Sequence, residues 1–126
     1  MSDINSFPQA TIATKLLDPV SAANTAAATS SWVAVGNREG TLEFTMQVGA
    51  MTGSITWTLE DATDGSGTGA AGITPNEGAF AAGAANQIQK RTLPVRATRG
   101  FMRCVGTIVT GPSLVAVSMR AHPKNT

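Results

Sequence analysis

From Thr41 to Val48 the chain alternates without a break. Leu42, Phe44, Met46 and Val48 fall on one side, and Thr41, Glu43, Thr45 and Gln47 on the other. Successive side chains of a strand point to opposite faces, so this run predicts a strand with one buried and one wet face. A second alternating run follows, Ile55, Trp57 and Leu59 against Thr56, Thr58 and Glu60. The Gly-bounded link between them, GAMTG, suits an antiparallel hairpin, predicted here as the centre of a β-sheet protein. As a helix the same residues would scatter apolar groups all round, and its threonines would weaken it.

Ser31–Val35 predicts a short strand, and GNREG turns the chain back. After Asp61 alternation stops, and residues 62–85 are rich in Gly and Ala with only Ile73 and Phe80 as large apolar groups. A connection of that length without its own structure is functional or disordered, so it reads as an excursion that becomes ordered against a partner. NQIQKRTLPVRA alternates weakly, and Pro94 removes a backbone donor, which puts this segment at a sheet edge. FMRCVGTIV is apolar on both faces and reads as a central strand covered on both sides. Ser113–Ala121 alternates again after the Gly111-Pro112 turn, and residues 122–126 form a tail.

The count is about six to eight short strands and few helices, an all-β chain. It predicts a two-sheet antiparallel β-sandwich or jelly roll over residues 31–121, with one long Gly/Ala-rich loop. The expected core is Leu42, Phe44, Met46, Val48, Ile55, Trp57, Leu59, Val105, Val115 and Val117. Residues 1–30 differ in kind. Ala10–Leu17 could pair as one strand, and SAANTAAATSS offers small residues with a possible helical turn. Two readings stand: a frayed terminus, or an extended N-terminal arm ordered against a neighbouring subunit. Phe7, Ile12, Leu16 and Leu17 favour the arm, because they are costly to leave in water.

At 126 residues the chain is one domain by length, and only 13% of it is charged, about half the usual share of about 25%. So few charges suit a surface largely covered by other protein chains, although a small Ala-rich domain has the same composition. A net charge of +1 supplies no bulk attraction to nucleic acid or anionic lipid. The single cysteine, Cys104, excludes an internal disulfide framework. The first residues lack the pattern of a secretory signal, and no stretch is long and apolar enough to span a bilayer. The expectation is a chain made in the cytoplasm with no membrane role.

Catalytic chemistry finds little to use. His122, the one histidine, sits beside Pro123 near the end, and one His with one Cys cannot close a zinc site. Cys104 lies in a buried pattern with no activating base in view. Glu60, Asp61 and Asp64 gather where a strand meets the Gly-rich loop, but their spacing lacks the dense acids of a calcium loop, and an Asx turn accounts for them. No catalytic, cofactor-binding or metal-binding residue is assigned. Lys90, Arg91, Arg96, Arg99 and Arg103 crowd one stretch with Phe101 alone nearby, too little aromatic surface for a nucleic-acid reader. Such a patch, apart from the acids at Glu39, Glu43, Glu60, Asp61 and Asp64, suits contacts between protein chains, and a solvated sheet edge carries the same charges. Trp57 belongs with Ile55 and Leu59 on the inner face rather than to a sugar platform.

The block TGSITWTLEDATDG, a long loop, and then LPVRATRGFMRCVGTIVTGPSLVAVSMRA resemble small β-sandwich structural proteins of tailed bacteriophages, over roughly residues 31–121. Many of that group are capsid cement or decoration proteins, and others sit in tails or necks. The resemblance implies a non-enzymatic virion component, assembled in the host cytoplasm and located on the capsid surface. It would bridge subunits of the major capsid protein and self-associate as a homodimer or homotrimer. Expected interface residues are Phe7, Ile12, Leu16 and Leu17 in the arm, Ile73 and Phe80 in the loop, and Arg91, Arg96 and Arg99 as orienting charges. A monomeric ligand- or glycan-binding module is the reading of a different class.

Overall fold

The computed structural model describes residues 12–123. Eight strands follow one another: β1 (Ile12–Ala22), β2 (Val33–Ala34), β3 (Arg38–Met51), β4 (Ile55–Ala62), β5 (Ala71–Ile73), β6 (Gln87–Pro94), β7 (Phe101–Ile108) and β8 (Ser113–Pro123). A single 3-10 turn, Val95–Ala97, links β6 to β7. The strands form two antiparallel four-stranded sheets with orders β1-β8-β3-β6 and β2-β7-β4-β5.

The pairing has a simple logic. β1 pairs with β8, β2 with β7, β3 with β6 and β4 with β5, so the first half of the chain lies antiparallel along the second as one long ribbon. Rolling that ribbon up brings β8 beside β3 and β7 beside β4. The product is a jelly roll, two sheets packed face to face.

The alternating runs fill the space between the sheets. Leu42, Phe44, Met46 and Val48 from β3, Val115, Val117 and Met119 from β8, and Ile55, Trp57 and Leu59 from β4 are all buried. Of the expected core only Val105 stands outside. In β7 the buried positions are Met102, Cys104 and Gly106, while Phe101, Arg103 and Val105 are half-buried on the outer side. β7 is therefore an alternating strand with a partly covered outer face, not a strand enclosed on both sides.

The expected hairpin is not there. β3 and β4 lie in different sheets, and residues 52–54 carry the chain across the end of the sandwich. Alternation tells which side of a strand is buried; it does not tell which sheet the strand joins. Both inner faces of a sandwich are apolar, so a corner and a hairpin read alike. This corner rests on its counterpart between β7 and β8. The Thr52 N–H donates to the Pro112 carbonyl at 3.0 Å, and the Val109 N–H to the Ser54 carbonyl at 3.1 Å. Gly53 has φ +75°, and a Cβ there would lie 2.4 Å from the Thr110 oxygen. No other residue fits.

The two long irregular segments also differ from expectation. Residues 12–22 of the proposed arm are a strand of the first sheet, broken by bulges between Lys15 and Leu17 and between Leu17 and Val20. Residues 24–28 then make one helical turn, with the Ala27 N–H donating to Asn24 Oδ1 at 3.0 Å. The chain continues along the free edge of β7, where Ser30 N–H donates to the Cys104 carbonyl and Gly106 N–H to the Ala28 carbonyl, each at 3.0 Å.

Residues 62–85 are ordered against the chain itself. Ile73 in β5 pairs with Leu59. The Asn76 N–H then donates to the Thr92 carbonyl at 2.8 Å, and the Thr92 N–H donates to Glu77 Oε1 at 2.7 Å. Gln89 Nε2 reaches the Ala81 carbonyl at 3.1 Å, and the Gly83 N–H donates to the Ile55 carbonyl at 2.8 Å. The loop thus covers the edge of β6 and part of the edge of β4, which would otherwise offer unpaired backbone to other chains. Pro94 does lie in an edge strand, as its missing N–H requires. At the C-terminal end, β8 runs on through His122 and Pro123, which pair with Glu39 and Arg38, so the first residues of the expected tail belong to the sheet.

A candidate protein-binding face

The two sheets have unlike outer faces. On the second sheet the outward row positions are Thr56, Thr58 and Glu60 of β4 beside Thr107, Val105 and Arg103 of β7. Arg103 lies between two partners, 2.7 Å from Glu60 Oε1 and with its guanidinium 4.6 Å from the centre of the Trp32 ring. Thr58 Oγ1 donates to the Val105 carbonyl at 3.4 Å. Arg103, Glu60 and Thr58 thus find their partners within the chain.

The outer face of the first sheet grades from charged to apolar. One row sets Arg120 of β8 beside Glu43 of β3; the next sets Lys15, Ser118, Thr45 and Lys90 across all four strands. Further along, Ala116, Gln47 and Ile88 align, and then Leu114 stands beside Gly49. At this end Leu114, Ile88 and Val20 are exposed, Ile88 at 60% and Leu114 at 48%. They border an open groove of about 590 Å³ that spans the four strands, with no charged residue among those lining it. Gly49 provides its floor, since it has no side chain to stand up between Leu114 and Ile88. A large apolar group left in water on a sheet face costs free energy unless something covers it, which makes this the candidate protein-binding surface.

The interface residues expected from sequence are dispersed. Phe7 lies outside the described residues. Ile12 pairs with Ala121 at the start of β1. Leu16 and Phe80 are buried in the chain's own core, and Leu17 and Ile73 pack half-buried against it. Arg91 lies over the Phe80 ring at 5.0 Å and donates to the Ala79 carbonyl, holding the loop rather than a neighbour. Arg99 is bound to Asp61 by its Nε, its Nη2 and its backbone N–H, and Nη2 also donates to the Gly69 carbonyl at 2.8 Å. Arg96 is exposed on the 3-10 turn. The large apolar residues that punctuate Gly- and Ala-rich stretches were the ones available to seal the core's open sides. The face described above rests instead on Leu114, Ile88, Val20 and Gly49, and its signal in the sequence is parity: Leu114 and Ile88 stand at outward positions of alternating strands.

Electrostatics at the loop are local. Hydrogen bonding to Arg99 holds Asp61 below the usual carboxylate range, outweighing the opposing effect of burial. Asp64 is lowered by its bonds to Thr68 and Ser66, an Asx turn of the kind the sequence suggested. Burial pushes the Cys104 thiol up to about 11, which leaves it protonated and unreactive at neutral pH. Among the described residues no three His, Cys, Asp or Glu side chains gather as a metal site would require, and no helix is long and apolar enough to cross a membrane.

No protein-family model matches the chain, and no curated protein matches it in sequence. Solved structures do match its fold. The crystal structure of the SPBc2 prophage-derived protein YomS is similar with a TM-score of 0.53 and 14% identity, over 88% of this chain and 91% of that one. A Bacillus endospore appendage of the disulfide-linked pilus family gives 0.48 at 14% identity, over 91% and 89%. The VP2 subviral particle of infectious bursal disease virus gives 0.45 at 9% identity, over 89% of this chain and 32% of that one. The likeness to YomS is one of fold: the described residues form a two-sheet jelly-roll β-sandwich.

Proposed function

We propose that the chain is a non-enzymatic virion structural protein, and within that class a capsid cement or decoration protein that bridges major capsid subunits of a phage head. The observation that carries this reading is the uncharged apolar groove across the first sheet, on a body whose loops are tied down internally. Such a body is stiff, and its open face is built for another protein rather than for a reaction. The fold shared with a prophage-derived protein supports a phage setting. A shell under internal pressure fails where subunits part, and a rigid body bound across a seam raises the cost of parting. Of the expected charged residues Arg96, exposed at the end of the sandwich, is the one placed to engage acidic surface on the shell, and Phe7 is proposed from the sequence to engage apolar surface there. Among the described residues the glycan-module alternative finds little aromatic platform to build on, because Trp57 is in the core and Arg103 covers one face of Trp32.

The test is co-sedimentation of the full chain with undecorated phage heads, followed by the temperature at which those heads release their genome. Saturable binding and a raised release temperature are expected. Binding to tails or necks but not heads would move the protein elsewhere in the virion, and binding to none would end the virion reading. Deletion of residues 1–11 then tests Phe7 without cutting into β1.

A further inference from the structure

We infer that the outer face of the first sheet is a two-fold interface, and that its occupant is a second copy of this chain. The register makes the face self-complementary. Place a two-fold axis parallel to the strands, midway between β8 and β3, in the plane between two facing sheets. Each row then lies over the same row of the second copy, with β8 over β3 and β1 over β6. Leu114, the protruding side chain, comes over Gly49 of the second copy, the position with none. Ile88 comes over the bulged stretch of β1 between Leu17 and Val20, and Arg120 over Glu43. Each contact occurs twice, as an isologous interface demands. Lys90 comes over Lys15 of the second copy, whose ammonium is already paired with Asp18 at 3.1 Å. The aligned packing of sheets allows this arrangement with an angle of about 30° between the strand directions.

The area agrees. Four strands about 4.8 Å apart and about eight residues long at about 3.3 Å each cover about 500 Å² per copy. Two copies bury about 1,000 Å², the lower limit for a specific association. The expected species is a dimer that dissociates on dilution. This inference concerns the chain alone and does not need the virion reading, but it would turn a cement protein into a staple with two identical ends, which gains by avidity.

Sedimentation equilibrium of the full chain, from about 1 µM to about 500 µM, reads it directly, since interfaces this small associate in that range. The wild-type mass should move from monomer to dimer. Leu114→Lys places a charge in the groove and Gly49→Leu fills the gap opposite; each should weaken the dimer at least about tenfold, or about 1.4 kcal/mol. Should either variant melt early, Ile88→Lys replaces it, its side chain being mostly in water already. A wild-type chain that stays monomeric throughout, a trimer, or a dimer indifferent to these substitutions overturns the inference. A monomeric chain whose binding to heads is lost on Leu114→Lys also overturns it, and assigns the face to the shell while leaving the proposed function standing. A dimer that binds no head does the reverse.

Discussion

The two sheets share one core and turn very different faces outward. On the second sheet, the outward rows carry threonines, half-buried Val105 and the Arg103–Glu60 pair under Trp32, and the exposed apolar residue, Val109, lies just past the end of β7. On the first, Leu114, Ile88 and Val20 border a groove that nothing among the described residues covers. Both faces alternate with the same inner set, so the difference owes nothing to folding the sandwich. The inner positions specify the jelly roll; the outer ones decide which side meets another protein.

That separation can be attacked first at its base. Trp57 is the largest buried side chain, and Trp57→Ala should cost about 3–5 kcal/mol, seen as an early melting transition that loosens both faces together. Trp57→Phe should cost much less than that, because the indole Nε1 is buried without a hydrogen-bond partner and its removal relieves an unpaired donor. A loss in Trp57→Phe as large as that in Trp57→Ala would contradict this ordering.

The next effect lies at the end of the sandwich, where Arg99 closes over Asp61. Arg99→Ala leaves a largely buried carboxylate without its side-chain donors, the backbone N–H of residue 99 alone remaining, and should cost about 1–3 kcal/mol. The pH dependence has a definite sign. Asp61 in the folded chain titrates below its unfolded value of about 3.9, so its contribution is present above about pH 4 and is lost as the pH falls through the lower, folded value. In urea titrations, wild type and Asp61→Asn should therefore differ at pH 7 and converge in acid. A gap that stays constant down to pH 2 would show that the pair contributes nothing through charge.

Smaller still is Arg103→Ala on the second sheet. The pair with Glu60 is partly exposed and the stacking on Trp32 is modest, so about 0.5–1 kcal/mol is expected. Self-association should be unchanged in this variant, since the second sheet takes no part in the two-fold contact.

How much of this could be read from the residues depends on what alternation encodes. Strands β3, β4 and β8 and nearly all of the expected core were legible, because a period of two over several residues has one physical meaning. The separation of β3 and β4 into different sheets was not, since a corner and a hairpin share the same short Gly-bearing link. Residues 62–85 misled for a different reason. Their composition suggested too little buried area to offset ordering, yet Phe80 and Ile73 suffice to anchor the loop when Asn76, Glu77 and Gln89 tie it to backbone edges. Hydrogen bonds to an edge strand leave no periodic trace. The same holds for Arg99, whose partner Asp61 is distant in sequence and adjacent only once β4 and β7 pair. The outer groove was half legible: Leu114 and Ile88 could be placed on outward positions, but only the register of four strands shows that they share a face with Gly49.

The most direct measurement sets matched lysines on the two faces. Ile88→Lys puts a charge on the first sheet's groove and Thr58→Lys puts one on the second sheet, both at exposed positions where stability should change by no more than about 0.5 kcal/mol. Sedimentation equilibrium at one high concentration is predicted to give monomer for Ile88→Lys and the wild-type dimer for Thr58→Lys. Equal effects from the two lysines, or dissociation by Thr58→Lys alone, would contradict the assignment of the first sheet as the protein-binding face.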